Sequence, residues 1–186
     1  MIASGAGIED LGNAADMIRA KIRANPEESS HHATLGFLLQ TQDIQAHTGG
    51  TLQGEALAAY RTALRLGVRP VEKAMLLMNT GVLLTTMSRP ADAIELFDEA
   101  LALDPFAFSV SAGQRAKLLY YKGSAFNTMG RLRDAEACFL AVLDLSPHFY
   151  KAYTSLAAIV KDDKASTVKW SDLAPRTEAA LANATV

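Results

Sequence analysis

One helical face recurs along this chain, and it restricts the fold more than any other feature. Ala93, Phe97, Ala100, Leu101 and Pro105 stand at the same relative positions as Ala135, Phe139, Val142, Leu143 and Pro147. An earlier stretch offers Ala56, Tyr60, Ala63 and Leu64 at those offsets, and a still earlier one, ending in Asn25-Pro26, has Ala14, Ile18 and Ile22 in phase. The clearest copy sets Ala93, Ile94, Leu96, Phe97, Ala100, Leu101 and Leu103 on an apolar side and Asp92, Glu95, Asp98 and Glu99 opposite, then stops at Asp104-Pro105. That spacing predicts an amphipathic helix closed by proline. Four such copies point to duplication.

A second helical pattern precedes each copy. Leu77, Gly81 and Leu84 match Leu119, Gly123 and Phe126; His32, Leu35, Gly36 and Leu39 precede the Tyr60 copy, and Tyr153, Leu156, Ala157 and Val160 follow Pro147. Glycine inside a helix costs about 1 kcal/mol relative to alanine, so Gly36, Gly81 and Gly123 in phase need a compensating reason. Close approach of two antiparallel helices supplies one, because a larger side chain would force them apart.

With 186 residues, of which 49% are hydrophobic and 20% charged, the chain can bury a core and is not a disordered polymer. Its net charge of -2 lacks the basic footprint of a nucleic-acid binder. Cys138 is the single cysteine, so no internal disulfide or cysteine-based zinc site is expected. No apolar run has the ~20 residues of a membrane helix. The start lacks a basic stretch followed by an apolar one, so no signal peptide is expected, and the expected compartment is cytoplasmic.

The paired helices resemble the tetratricopeptide repeat family, whose unit of about 34 residues is a helix-turn-helix. The best copy runs from Ala74, with Leu77, Gly81, Leu84, Ala93, Phe97, Ala100 and Pro105 fitting; the next, from Ala116, fits at Leu119, Gly123, Phe126, Gly130, Ala135, Phe139 and Pro147 but has Lys122 at a usual Leu position and Val142 at a usual Ala position. The resemblance implies an all-α, right-handed solenoid of antiparallel helix pairs, about three repeats plus flanking helices. The expected divisions are an N-terminal helix over 1–28, a repeat with an insertion over 29–70, a repeat and extended connection over 71–115, a repeat over 116–149, and a partial repeat with a capping helix over 150–186. Gly36, Gly81, Gly123, Ala93, Phe97, Ala100, Ala135 and Phe139 are the expected packing residues between helices. In the cap, Asp172 is the expected N-cap, Pro175 suits the first turn, and Trp170 and Leu181 are expected to pack on the array. The insertion near His47 and Gly50 reads as a solvated loop or a lengthened helix. Residues 105–114, with Phe106, Phe108 and Val110, read as an apolar flap or a longer second helix.

In that family the first helix of each pair lines a concave face. The register then implies Thr34, Phe37 and Gln40 as exposed, followed by Met75, Met78, Asn79 and Val82, then Lys117, Tyr120, Tyr121, Ser124 and Asn127, then Lys151, Thr154 and Ser155. Of these, Phe37, Met75, Met78, Asn79, Val82, Lys117, Tyr120, Tyr121, Ser124, Asn127 and Lys151 are the candidate partner-binding set. Adaptable methionine and amphipathic tyrosine suit a peptide or helix laid in a groove, although Met75, Met78 and Tyr120 could equally pack between neighbouring helices. The five-residue carboxylate clamp of chaperone-binding relatives is met only by Asn79 and Lys117; Ala33, Phe37 and Tyr121 occupy the other places.

No catalytic pattern emerges. His31 and His32 point about 100° apart on a helix, His47 and His148 stand alone, and Cys138 lies among packed residues. Nucleotide and hydrolase motifs are missing from the sequence. The expectation is a non-catalytic scaffold with a protein or peptide partner, no cofactor, no metal, no nucleic acid and no membrane insertion. Two other readings stay open: a helper domain of a larger enzyme such as a transferase, and a self-associating subunit joined through end faces or Phe106–Val110.

Overall fold

The computed structural model describes residues 7–47, 49–103, 112–162, 166, 168–169 and 171–175. All regular structure among them is helical. The chain divides into two compact units, Met1–Arg89 and Pro90–Val186.

The first unit holds α1 (Ile8–Ala24), α2 (Ser29–Ala46), α3 (Gln53–Leu66) and α4 (Pro70–Thr86). Local chemistry sets each helix end. The Gly7 N–H donates to Asp10 Oδ2 at 3.0 Å, fixing the start of α1. Glu28 caps α2 by accepting from the Ser30 N–H at 3.3 Å and the Ser30 hydroxyl at 2.8 Å. Pro70 opens α4 at a place where a missing N–H costs nothing. The insertion resolves as a lengthened α2: the helix runs to Ala46, and buried Asp43 accepts from the Leu52 N–H and from Gln53 Nε2. That carboxylate ties the end of α2 to the start of α3.

Neighbouring helices pack in chain order, α1 on α2, α2 on α3 and α3 on α4. Leu11 and Ala15 of α1, Leu35 and Leu39 of α2, Ala56, Tyr60 and Ala63 of α3, and Leu77 and Leu84 of α4 are buried. The core face of α1 runs through buried Leu11 and Ala15 and half-buried Ile18 and Ile22, with half-buried Ala14 at its edge. α1 packs chiefly on α2, and its Arg19 reaches α3, where Nε and Nη2 donate to the Glu55 carboxylate at 3.0 Å.

The second unit holds α5 (Pro90–Ala102), α6 (Ala112–Thr128), α7 (Leu132–Leu145) and α8 (Tyr150–Asp162), with a helical turn at 171–175. Ala93, Phe97, Ala100, Ala116, Phe126, Ala135, Phe139, Val142 and Leu156 are buried here. Lys122, in the place of the usual leucine, lays its stem in the helix interface and pairs with Asp98 of α5 at 2.5 Å, its ammonium 5.6 Å from the Phe126 ring centre. An apolar stem and a charged tip do the work of the missing leucine.

The turn at 171–175 starts before Asp172, whose own N–H donates to Lys169 O at 3.0 Å. Asp172 therefore sits inside the turn and is not its N-cap. Buried Leu173 is the side chain that plugs this end of the core, beside Ala152, Leu156 and Ile159. Trp170, Leu181 and residues 105–111 lie outside the described residues.

Candidate functional site

The first unit has an open groove of about 360 Å³ between α2 and α4. Its walls are two stripes of identical spacing: Ser30, Ala33, Thr34 and Phe37 on α2, and Glu72, Met75, Leu76 and Asn79 on α4. Positions i, i+3, i+4 and i+7 fall on one face of a helix, which is why both stripes stay continuous for two turns. Tyr60 of α3 and Val68 from the α3–α4 connection complete the lining.

The groove forms because α2 and α4 are held apart by α3. Tyr60 is fully buried, and its hydroxyl donates to Gln40 Oε1 of α2 at 2.8 Å. Burial pushes the Tyr60 phenol well above its ordinary range, so it remains a neutral donor. Gln40, expected on the exposed face, is buried because this bond gives its amide oxygen a partner in the core.

Large apolar side chains are left open at the groove: Phe37 is 44% exposed and Met75 51%. The nearby hydroxyls are already engaged, Thr34 Oγ1 donating to Ser30 O at 2.8 Å and Ser30 Oγ to Glu28. Sequence reasoning named Thr34, Phe37, Met75 and Asn79 for this face and Ala33 only as an occupant of a clamp position, and it missed Ser30, Val68, Glu72 and Leu76. Stepping back three and seven residues from Met75 and Asn79 would have found Glu72. Met78 and Val82, named in the same set, are half-buried on α4 and do not line the groove.

In the second unit the named residues divide. Lys117, Asn127 and Lys151 are exposed, Thr154 is exposed, and Ser124 and Ser155 are half-buried. Tyr120 belongs to an aromatic cluster, with ring centres 5.7 Å from Phe139, 5.2 Å from Phe149 and 5.6 Å from Tyr121. Tyr121 stacks on Phe97 at 6.4 Å. Packing between helices thus engages both tyrosines.

The packing positions have measurable geometry. A Cβ added to Gly36 would lie 2.6 Å from the Tyr60 ring, and one added to Gly123 2.8 Å from that of Phe139. Gly81 is buried on α4.

None of the histidines lines the groove, nor does Cys138. His32 Nε2 donates to Pro26 O at 2.8 Å and His47 Nδ1 to Gln45 O at 3.1 Å, while His148 is exposed. Burial raises the Cys138 thiol above its usual range, against the pull of nearby Lys122. Among the described residues no three His, Cys, Asp or Glu side chains are placed to hold a metal ion. None of the described helices is long and apolar enough to cross a membrane.

Sequence profiles of the tetratricopeptide repeat match residues 54–108 and 116–149. Solved structures resemble the chain over nearly all its length. MamA from Desulfovibrio magneticus RS-1 superposes with a TM-score of 0.69 at 17% identity, covering 92% of this chain and 84% of its own. YrrB, described as a tetratricopeptide protein with an unusual peptide-binding site, gives 0.67 at 16% identity, covering 96% and 86%. PilW, a type IV pilus biogenesis factor, gives 0.61 at 21% identity, covering 95% and 81%. Likeness at these identities is a likeness of fold. No curated protein matches the sequence. The two matched stretches and the ordered helix pairs identify the chain as a tetratricopeptide repeat protein.

Proposed function

We propose that the chain is a non-catalytic protein-interaction scaffold whose first unit holds a short segment of a partner protein between α2 and α4. The supporting observation is the in-phase pair of stripes, which leaves Phe37 and Met75 exposed beside one concavity. Single exposed hydrophobic residues are ordinary, but two rimming a groove provide an anchor pocket for an apolar side chain. The flexible Met75 thioether can adapt to that side chain, while Phe37 offers a rigid wall. In the second unit the same reading assigns the exposed Lys117, Asn127 and Lys151 to partner contact.

Panning a display library of random peptides against the intact chain tests the groove. Selected peptides should bind the parent protein at least about tenfold more tightly than a variant carrying Phe37→Glu and Met75→Glu, because each burial contributes roughly 1.5–3 kcal/mol. Circular dichroism should show unchanged helicity in that variant. Equal affinity for parent and variant would remove the groove from the function.

A further inference from the structure

Resting on the groove reading, we infer that the segment bound there carries a lysine or arginine beside its apolar anchor and no carboxylate. Among the described residues, Glu72 is the only side chain on the groove walls that carries a formal charge at neutral pH. A second carboxylate stands behind it: Glu28 grips Ser30 at the same end of the groove and feels the charge of Glu72. Anions are therefore met by two like charges, with the groove hydroxyls of Ser30 and Thr34 already donating elsewhere.

The opposing groups are few. Arg69 pairs with Glu72 three residues on, but its side chain is 77% exposed and is free to swing into solvent. An exposed ion pair of this kind contributes little, so an incoming ammonium or guanidinium can displace Arg69 at small cost. Lys73 follows Glu72 on α4, about 100° around the helix and off the stripe. His31 sits beside Glu28, away from the groove wall. Arg69 holds the Glu72 carboxyl below its usual range by hydrogen bonding, so Glu72 stays charged through neutral pH. The far end of the groove, seven residues or about 10 Å along α4, is the neutral amide of Asn79. A basic residue on the Glu72 side of the anchor meets the one unit of complementary charge that the walls offer.

The test uses the selected peptides, resynthesised with Lys, Gln or Glu beside the anchor and measured by fluorescence anisotropy at about 20 mM and about 300 mM salt. Lysine should bind about three- to tenfold more tightly than glutamine, and glutamate weaker by a similar factor, with the spread shrinking at high salt. Glu72→Gln should close most of that spread. Glutamate binding as well as lysine, or a spread that survives Glu72→Gln, would overturn the inference. Peptides that depend on Phe37 and Met75 yet ignore charge would end this inference alone. Peptides indifferent to Phe37 and Met75 would end the groove reading and this one with it.

Discussion

The Cβ that Gly36 lacks would stand 2.6–2.9 Å from three ring atoms of Tyr60. That ring is held by burial and by its bond to Gln40, so it has little room to yield. Gly36→Ala should therefore destabilise the protein by about 1–2 kcal/mol, overpacking outweighing the better helix propensity of alanine. Gly54 is the internal control, since it is also helical and has nothing within 4 Å of an added Cβ. Gly54→Ala should gain up to about 0.5 kcal/mol by restricting the unfolded chain. Urea melts of both variants check the opposite signs.

The turns after α4 and α6 are built alike. Arg89 N donates to Leu84 O and Arg131 N to Phe126 O, both at 2.9 Å, with Ser88 at φ 59° and Gly130 at φ 71° in the bend. Serine bears a steric cost in this left-handed region that glycine escapes. Ser88→Gly should stabilise by about 0.5 kcal/mol and Gly130→Ala should destabilise by about 1 kcal/mol. Equal effects at the two turns in a thermal melt would refute the comparison.

Removing the Tyr60 hydroxyl leaves Gln40 Oε1 buried without its donor. Tyr60→Phe should cost about 1–2 kcal/mol at neutral pH. The phenol also links stability to alkaline pH. The fold favours its neutral form, so its contribution is complete below the unfolded value near 10 and declines as pH rises above it. Parent stability should fall more steeply than that of Tyr60→Phe above about pH 10, the other tyrosines being common to both. Parallel pH profiles would show that Tyr60 does not carry the linkage.

How far the fold is legible in the sequence follows from the range of each interaction. Phe97, Phe139 and Tyr60 repeat at helical spacing, and their burial follows from that period alone. Gln40 was misread because the family's first-helix register places it on the exposed face, whereas its partner Tyr60 lies 20 residues away on another helix. Half of the groove was legible, since Phe37, Met75 and Asn79 share the family's first-helix register. Glu72 was not, because an acidic residue in a first helical turn reads equally well as a cap for the helix dipole. Leu173 escaped notice for a related reason: it lies after an aperiodic stretch, and a single apolar residue has no phase to reveal it.

Glu136 carries the last prediction. Within the acidic and basic side of α7 it resembles a solvated charge, yet it is only 2% exposed. Its Oε1 accepts from Ser166 Oγ at 3.1 Å and from the Val168 N–H at 3.2 Å, and Arg133 lies 3.6 Å from Oε2. The carboxylate thus pins the chain beyond α8 while Leu173 plugs the core, giving the segment two separate anchors. Glu136→Ala removes the polar anchor and takes the charged acceptor from two part-buried donors, a change that costs about 1–3 kcal/mol even though the Val168 N–H keeps Ser166 Oγ at 3.2 Å. Exposed Lys169 next to Val168 should then be cut by trypsin several-fold faster than in the parent, because cleavage follows the population of the locally opened segment. Glu136→Gln keeps an oxygen that can accept both bonds and should cut at an intermediate rate. An unchanged cleavage rate at Lys169 in Glu136→Ala would mean that Leu173 alone holds the segment down.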